Sequence, residues 1–159
     1  MGELCKYVDY CIANEEDAKD VFGIEADNTD INTGKLNREG YISVAKKLTD
    51  KFGFKGVAIT LRESLSASDN NWSGMLYTGG EAYFSKKYAM RIVDRVGGGD
   101  SFGGGLIYSL INDYEPQKAI EFAVAASCLK HSIEGDYNMV SVKEVETLAS
   151  GNASGRVQR

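Results

Sequence analysis

The sequence contains little histidine, cysteine and proline, and each shortage excludes a class of protein. The single histidine, His131, excludes a histidine-rich metal site and argues against a Ser-His-Asp triad, and we expect it at a helix end and not as a catalyst. The three cysteines, Cys5, Cys11 and Cys128, match no zinc-binding spacing, so we expect reduced thiols in a cytoplasmic protein. A single proline excludes a collagen-like or proline-rich chain.

Long apolar runs and excess positive charge are also missing. No run of about 18 apolar residues occurs, and the N-terminus lacks the apolar segment of a signal peptide. The net charge of −5 argues against nucleic-acid binding, which needs a basic surface. With 159 residues, of which 43% are hydrophobic and 26% charged, the chain suits one globular domain. We predict that domain over residues 1–150 and a loose tail over 151–159, with neither nucleic acid nor membrane as a partner.

Apolar spacing and turn residues predict a chain in which strands and helices alternate. In chain order we predict a strand at 8–13, a helix from Asn14, a loop at 27–36, a helix at 38–52, a strand at 57–61, a polar loop at 64–73, a hairpin through 78–81, an extended segment at 88–93, and helices at 101–111, from Pro116 and at 142–149. This order is typical of part of an α/β sheet fold.

A glycine-rich turn carries the candidate chemistry. Gly97, Gly98, Gly99 and Asp100 lie between a predicted extended segment and a predicted helix. Three residues without Cβ atoms let backbone N–H groups point into one space, and a helix N-terminus there favours an anion such as phosphate. An adjacent carboxylate can accept the proton of an attacking hydroxyl. A flexible turn with an N-capping aspartate is the alternative, whereas a P-loop and a Rossmann fingerprint do not fit the spacing.

The segment from Asp94 to Phe102, Asp-Arg-Val-Gly-Gly-Gly-Asp-Ser-Phe, resembles the second signature of the PfkB/ribokinase family of carbohydrate kinases. Arg95 and Gly98 stand where that signature usually has Thr and Ala. This variant is similar to the one found in bacterial 2-keto-3-deoxygluconate kinases. The resemblance extends over nearly the whole chain. It implies the C-terminal part of a three-layer α/β/α fold with a mostly parallel sheet, without the lid and the N-terminal half.

The resemblance also implies roles for individual residues. Asp100 would be the catalytic base, and the amides of Gly97, Gly98 and Gly99 would stabilise the transferred phosphoryl group. The implied nucleotide-binding residues are Asn14, Thr60, Arg62, Ser64, Ala125, Ser127 and Cys128. Asp100 and Asp136 would contact the sugar, and Asp17, Asp94 and Gly135 would serve metal sites. The implied cofactors are ATP and Mg²⁺, with K⁺ as the candidate for a monovalent-cation site that borders Gly135.

The function implied by the resemblance is phosphoryl transfer from ATP to a hydroxyl of 2-keto-3-deoxygluconate, which gives 2-keto-3-deoxy-6-phosphogluconate. Another sugar or a nucleoside as the substrate is one alternative. A non-catalytic fragment that binds nucleotide, or that assembles with the missing half, is another, and an unrelated α/β domain is a third. Because we expect the missing half to leave a sheet edge unpaired, we also expect association through that edge, including homo-oligomers.

Overall fold

The computed structural model describes residues 1–14, 20, 23–24 and 38–151. Most of the predicted helix after Asn14, the predicted loop at 27–36 and nearly all of the predicted tail lie outside the described residues. Those three predictions therefore stay predictions.

Five helices and five strands make up the described part of the chain. The helices are α1 (Gly2–Cys5), α2 (Arg38–Phe52), α3 (Gly98–Ile111), α4 (Pro116–Lys130) and α5 (Val142–Ala149). The strands are β1 (Tyr10–Ala13), β2 (Gly56–Ser64), β3 (Asp69–Thr78), β4 (Glu81–Phe84) and β5 (Tyr88–Arg91).

The helices follow the sequence patterns closely. The bounds of α2 and α5 are the predicted ones, and Pro116 begins α4, where its missing N–H costs nothing. The α4 helix ends at Lys130, ahead of the predicted break at Gly135, and His131 is its C-cap, which confirms the expected helix-end position. Within the described ranges, no helix combines the length and apolar content that a membrane crossing requires.

The strands form one sheet in the order β1-β2-β3-β4, and β5 also pairs with β3. Among the strands that the structure describes, only the β1–β2 pair is parallel, and β2–β3, β3–β4 and β3–β5 are antiparallel. The expected mostly parallel sheet is therefore wrong for this part of the fold. For the β3–β4 pair the cause is local: Gly79 and Gly80 take positive φ in the predicted hairpin, which returns the chain antiparallel to β3.

The predicted polar loop at 64–73 is also wrong. Here β2 extends to Ser64 and β3 begins at Asp69, so residues 65–68 alone form the connection. The Ser-Asp-Asn-Asn sequence lacks strand-forming residues, but its backbone pairs with β2 on one side and β5 on the other. Burial confirms the interior position, since Asn70 is 1% exposed. Pairing on both sides outweighs the weak intrinsic preference of polar residues for strands.

The sheet separates two cores and thereby forms the middle of the predicted three layers. Alternate residues of β2 face opposite sides, with Val57 and Ile59 toward α2 and Ala58 toward α3 and α4. Leu48 of α2 and Phe102 of α3 are both 0% exposed in their cores. A further cluster packs α5 on the outer side of α4. The α/β/α class is confirmed, and α3 begins at the sheet face with the glycine-rich turn at its N-terminus.

Candidate active site

Gly97 must be glycine for two reasons, its backbone conformation and the lack of space for a side chain. Its φ of 78° and ψ of 0° lie in the left-handed region, where it forms the N-cap of α3. A Cβ at this position would collide with the backbone carbonyl of Asp136. The loop at 131–136 therefore lies directly against the turn that opens the helix.

Gly98 is buried beneath the only histidine of the chain. A Cβ at Gly98 would lie 2.5 Å from Cε1 of His131, so no side chain fits without moving the imidazole. Nδ1 of His131 is 2.7 Å from the carbonyl oxygen of Ser127, which requires the proton on Nδ1. The hydroxyl of Ser127 donates to the carbonyl of Gly98 at 2.8 Å. The last turn of α4 thus sets the position of the first turn of α3.

Asp94 connects the two segments from the other side. Its carboxylate accepts the N–H of Val96 at 3.0 Å and the N–H of Gly135 at 2.8 Å. These backbone donors, that of Val96 first, hold the pKa of Asp94 below its ordinary value. We refer to residues 92–98 together with residues 131–136 as the turn junction.

Gly99 and Asp100 differ from this packed junction because both are exposed. A Cβ at Gly99 would meet nothing within 4 Å. Within the described residues, the Asp100 carboxylate makes no hydrogen bond and no ion pair, and no side chain caps α3. The alternative of an N-capping aspartate is therefore wrong, because Asp100 follows the cap instead of forming it. The carboxylate, which has no partner among the residues that the structure describes, stands beside the positive end of the helix dipole.

Positive side chains gather around this turn although the chain as a whole is acidic. Burial lowers the pKa of His131, and the charges of Lys130, Arg95 and Arg62 lower it further. The Arg95 guanidinium donates to the carbonyl of Ala67 at 2.6 Å, which ties the 65–68 connection to the turn junction. This local charge suits an anionic ligand at the N-terminus of α3.

The predicted nucleotide-binding residues fall into two groups. Asn14 and Thr60 belong to the first group. Ala13 lies opposite Ile59 in the parallel β1–β2 pair, and Asn14 and Thr60 are the residues that come directly after these two. Thr60 is half-buried, whereas Arg62 and Ser64 are exposed further along β2.

The second group lies on α4. Ala125 and Ser127 are 0% exposed, so their side chains contact neighbouring helices and not open space. Cys128 is partly buried, and burial raises the pKa of its thiol to about 11. Nucleotide contact by these residues stays a prediction, and the structure gives Ser127 a positioning contact with Gly98.

Of the predicted metal and sugar residues, Asp17 lies outside the described residues. Asp94 and Gly135 meet through their hydrogen bond, and Asp136 has an exposed side chain while its carbonyl faces Gly97. Among the described residues, no group of three or more His, Cys, Asp or Glu side chains is arranged to hold a metal. A Mg²⁺ at Asp100 would therefore take most of its ligands from phosphate and water, as Mg²⁺ commonly does.

Sequence reasoning missed the positioning role of α4. His131, Ser127 and Lys130 all serve the turn junction, and the sequence pattern gives them the appearance of an ordinary helix end. The single histidine beside a lysine at the end of an apolar helix was the available signal.

Comparison with known proteins adds independent information. The family profile described as pfkB family carbohydrate kinase matches residues 1–143. A 2-dehydro-3-deoxygalactonokinase from Haloferax volcanii is 26% identical over 148 residues, which cover 93% of this chain and 40% of that protein.

Two crystal structures resemble the fold. A 2-dehydro-3-deoxygluconokinase from Thermotoga maritima is 50% identical with a TM-score of 0.87, over 94% of this chain and 43% of that one. A PfkB family carbohydrate kinase from Listeria grayi is 35% identical with a TM-score of 0.79, over 93% of this chain and 43% of that one. The chain thus spans less than half the length of each of these relatives.

Proposed function

The chain belongs to the pfkB family of carbohydrate kinases, and on that basis we propose that it forms the part of a sugar kinase that holds ATP and the catalytic base. The observation that carries the proposal is an exposed Asp100 carboxylate, without a partner among the described residues, next to the exposed Gly99 at the start of α3. Each group suits one half of a phosphoryl transfer, and the two must be adjacent because proton and phosphoryl group meet at the same oxygen.

The proposed reaction transfers the γ-phosphoryl group of ATP to a hydroxyl group of the substrate. The substrate hydroxyl gives its proton to the Asp100 carboxylate while its oxygen bonds to the γ-phosphorus of ATP, and the bond from that phosphorus to the β-γ bridging oxygen breaks to release ADP. The N–H groups at Gly97, Gly98 and Gly99 are the proposed donors to the charge on the transferred group, and that of Gly98 has first to leave its 3.3 Å hydrogen bond to the Arg95 carbonyl. Mg²⁺ neutralises charge on the ATP phosphates when bound, and Asp17 stays a predicted contributor to that site.

The proposed acceptor is a 2-keto-3-deoxy sugar acid, with 2-keto-3-deoxygluconate as the first candidate and 2-keto-3-deoxy-6-phosphogluconate as its product. The support is the 50% identity to the Thermotoga maritima 2-dehydro-3-deoxygluconokinase. Asp136, exposed beside Gly97, is the candidate contact to the acceptor's hydroxyls. The signature variant with Arg95 and Gly98 agrees with this assignment, and other sugars or nucleosides are the competing acceptors.

Replacement of the proposed base tests the mechanism. Asp100→Asn, in a full-length enzyme that contains this chain, is expected to lower turnover by about 10²–10⁴-fold with ATP affinity retained, because the amide cannot accept the proton. Steady-state kinetics with 2-keto-3-deoxygluconate and calorimetry with ATP and Mg²⁺ give the two readouts.

A matched control lies at the other end of the same helix. Asp113 is exposed and has a φ of 53°, a conformation that asparagine tolerates well, so Asp113→Asn should leave turnover unchanged. Near-normal turnover in Asp100→Asn would eliminate the base assignment.

A second candidate role is favoured by one surface. Within the described residues β1 pairs on one side only, and Ile12 of β1, 43% exposed, lies beside Gly103 of α3. Ile107 and Ile111, one and two turns further along α3, are 57% and 74% exposed. This edge and stripe suit a further polypeptide segment, which would make the chain an assembly partner for the part of the fold that the longer relatives possess.

Activity and assembly can be separated on the chain itself. We expect the chain alone to be a poor kinase, because the acceptor would be neither oriented nor shielded from water. ADP release dependent on 2-keto-3-deoxygluconate at about 1–100 per second would contradict this. Light scattering with and without the remaining part of a full-length relative would show whether a complex forms, and Ile107→Asp should weaken it.

A further inference from the structure

Two fully buried serines in helices use their hydroxyl groups in different ways. Ser109 of α3 and Ser127 of α4 are both 0% exposed. The Ser109 hydroxyl donates to the carbonyl of Gly105 at 2.9 Å, four residues earlier in its own helix, which is a common partner for a serine inside a helix. The Ser127 hydroxyl instead donates to the carbonyl of Gly98 at 2.8 Å. Ser127 therefore acts on α3 and not on the helix that contains it.

The carbonyl that Ser127 binds belongs to the peptide group between Gly98 and Gly99. A trans peptide group is planar, and its C=O and N–H bonds point in opposite directions. The described residues contain no cis peptide bond. Because the Gly98 carbonyl points to the Ser127 hydroxyl of α4, the N–H of Gly99 points away from that hydroxyl. The orientation of one group thus determines the orientation of the other.

The N–H of Gly99 is available to a ligand. Across the described ranges of the chain it has no acceptor, as is usual for the second residue of a helix, and Gly99 is exposed with nothing within 4 Å of its Cβ position. Its peptide group also lies between two residues without Cβ atoms, where steric restriction of backbone rotation is smallest. The Ser127 hydroxyl is a contact from outside α3 that restricts this rotation.

The backbone carbonyl of Ser127 adds a second contact with Gly98, through His131. It lies 2.7 Å from Nδ1 of His131, whose ring packs against Gly98 and lies 5.1 Å from the ring of Trp72. An alanine at position 127 keeps this carbonyl and loses the hydroxyl alone. Ser127→Ala therefore removes the direct bond to Gly98 and leaves the hydrogen-bond acceptor of the imidazole in place.

We propose that Ser127 is a positioning residue for phosphoryl transfer, whose hydroxyl fixes the Gly98–Gly99 peptide plane and so directs the Gly99 N–H at the transferred group. This inference rests on the proposed kinase function and adds to it a fully buried residue that acts through Gly98. Donors that are held in place in advance act mainly on the transition state. Loss of the hydroxyl should therefore lower kcat and leave the binding of ATP nearly unchanged.

The motion of the Gly99 N–H bond gives the first test, on the chain itself. Its order parameter from ¹⁵N relaxation is expected to be about 0.85 in the unaltered chain and to fall toward about 0.6 in Ser127→Ala. Ser109→Ala is the matched control, because it removes an equally buried hydroxyl whose bond stays within α3, and it should leave the Gly99 value unchanged. A Gly99 N–H that is as rigid in Ser127→Ala as in the control would overturn the proposal.

Steady-state kinetics with 2-keto-3-deoxygluconate, in a full-length enzyme that contains this chain, give the second test. Ser127→Ala is expected to lower kcat by about 10-fold with the KM for ATP changed by less than about 3-fold, and Ser109→Ala should change neither. Each variant loses one buried hydrogen bond, so both unfolding midpoints should fall by about 2–5 °C. A merely structural role of Ser127 predicts the same kcat in both variants, and that result would contradict the proposal.

Asp100→Asn, measured in the same experiment, separates this inference from the kinase proposal. If Asp100→Asn loses turnover while Ser127→Ala is as fast as Ser109→Ala, the positioning role alone is wrong. If Asp100→Asn keeps near-normal turnover, the base assignment is wrong whatever the result for Ser127→Ala. A lower kcat in both variants with ATP affinity retained supports both proposals.

Discussion

The first two residues of Gly97-Gly98-Gly99-Asp100 are enclosed by neighbouring residues, whereas the last two are exposed. Gly97 and Gly98 are enclosed, one by the Asp136 carbonyl and the other by the imidazole of His131. Gly99 and Asp100 are exposed, and neither the Cβ position of Gly99 nor the Asp100 carboxylate meets a neighbour within the described residues. One short motif thus contains a structural pair and an open pair.

The two pairs look alike in the sequence, but different interactions determine which residue types each pair can have. The structural pair needs glycine because of what the chain itself places there, so its role can be tested through stability. Within the described residues the open pair has no such internal reason, and the proposed binding of a phosphate would supply an external one. Variants of the four residues should therefore separate stability from ligand binding.

Gly97→Ala should have the largest effect on stability. Alanine at this φ costs about 1–2 kcal/mol, and the collision with the Asp136 carbonyl adds to it, so we expect a loss of about 3 kcal/mol. Gly79→Ala is the matched control, because Gly79 has a φ of 60° but nothing within 4 Å of its Cβ position. Denaturant unfolding measures both, and equal losses would show that the Asp136 contact contributes nothing.

Gly98→Ala should destabilise less, by about 1–3 kcal/mol, because a side chain can shift where a backbone carbonyl cannot. The loss of stability should depend on the His131 imidazole, because in a His131→Ala background the added methyl group has room. A double-mutant cycle should give a coupling energy of about 1 kcal/mol or more between the two positions. Additive losses would mean that the imidazole does not enclose Gly98.

How far the sequence predicts this arrangement depends on the range of the interactions. The α2 and α5 helices were predicted to the residue because apolar spacing and capping residues are local signals. The first part of β3 was missed because its residues are polar and become a strand only through pairing with β2 and β5, whereas its last residues form the predicted hairpin arm.

The same distinction holds at the candidate site. The glycine-rich turn could be predicted because its residues are consecutive in the chain. The contacts of Gly98 with Ser127 and His131 join residues about thirty positions apart in the chain. No local sequence pattern indicates that the end of α4 packs against the start of α3. The sequence therefore predicted a single site made of all four residues. Their division into a structural pair and an open pair became visible only from the tertiary contacts.

Gly99→Ala tests the open pair and should change stability in the opposite direction. Alanine in a helix is favoured over glycine by about 0.5–1 kcal/mol, and nothing obstructs it here. Gly104→Ala is the control, since Gly104 is also exposed on α3 with nothing within 4 Å. Both variants should be slightly more stable, but only Gly99→Ala should weaken ATP binding in calorimetry. Unchanged ATP affinity in Gly99→Ala would remove the phosphate from this position.

The smallest expected effect is a pH dependence that belongs to the structural pair. Burial lowers the pKa of His131 in the folded chain below the 6.5 of an exposed imidazole; the hydrogen bond to the Ser127 carbonyl opposes this shift, and the nearby charges of Lys130, Arg95 and Arg62 add to it. The unfolded chain then binds the proton more readily, so the stabilisation is fully present above pH 6.5 and is lost as the pH falls toward the folded-state pKa. Unfolding midpoints should decline from pH 7.5 to pH 5.5, a window above the titration of most carboxyl groups. His131→Gln should flatten that decline because His131 is the only histidine, and an equal decline in the variant would place the titrating group elsewhere.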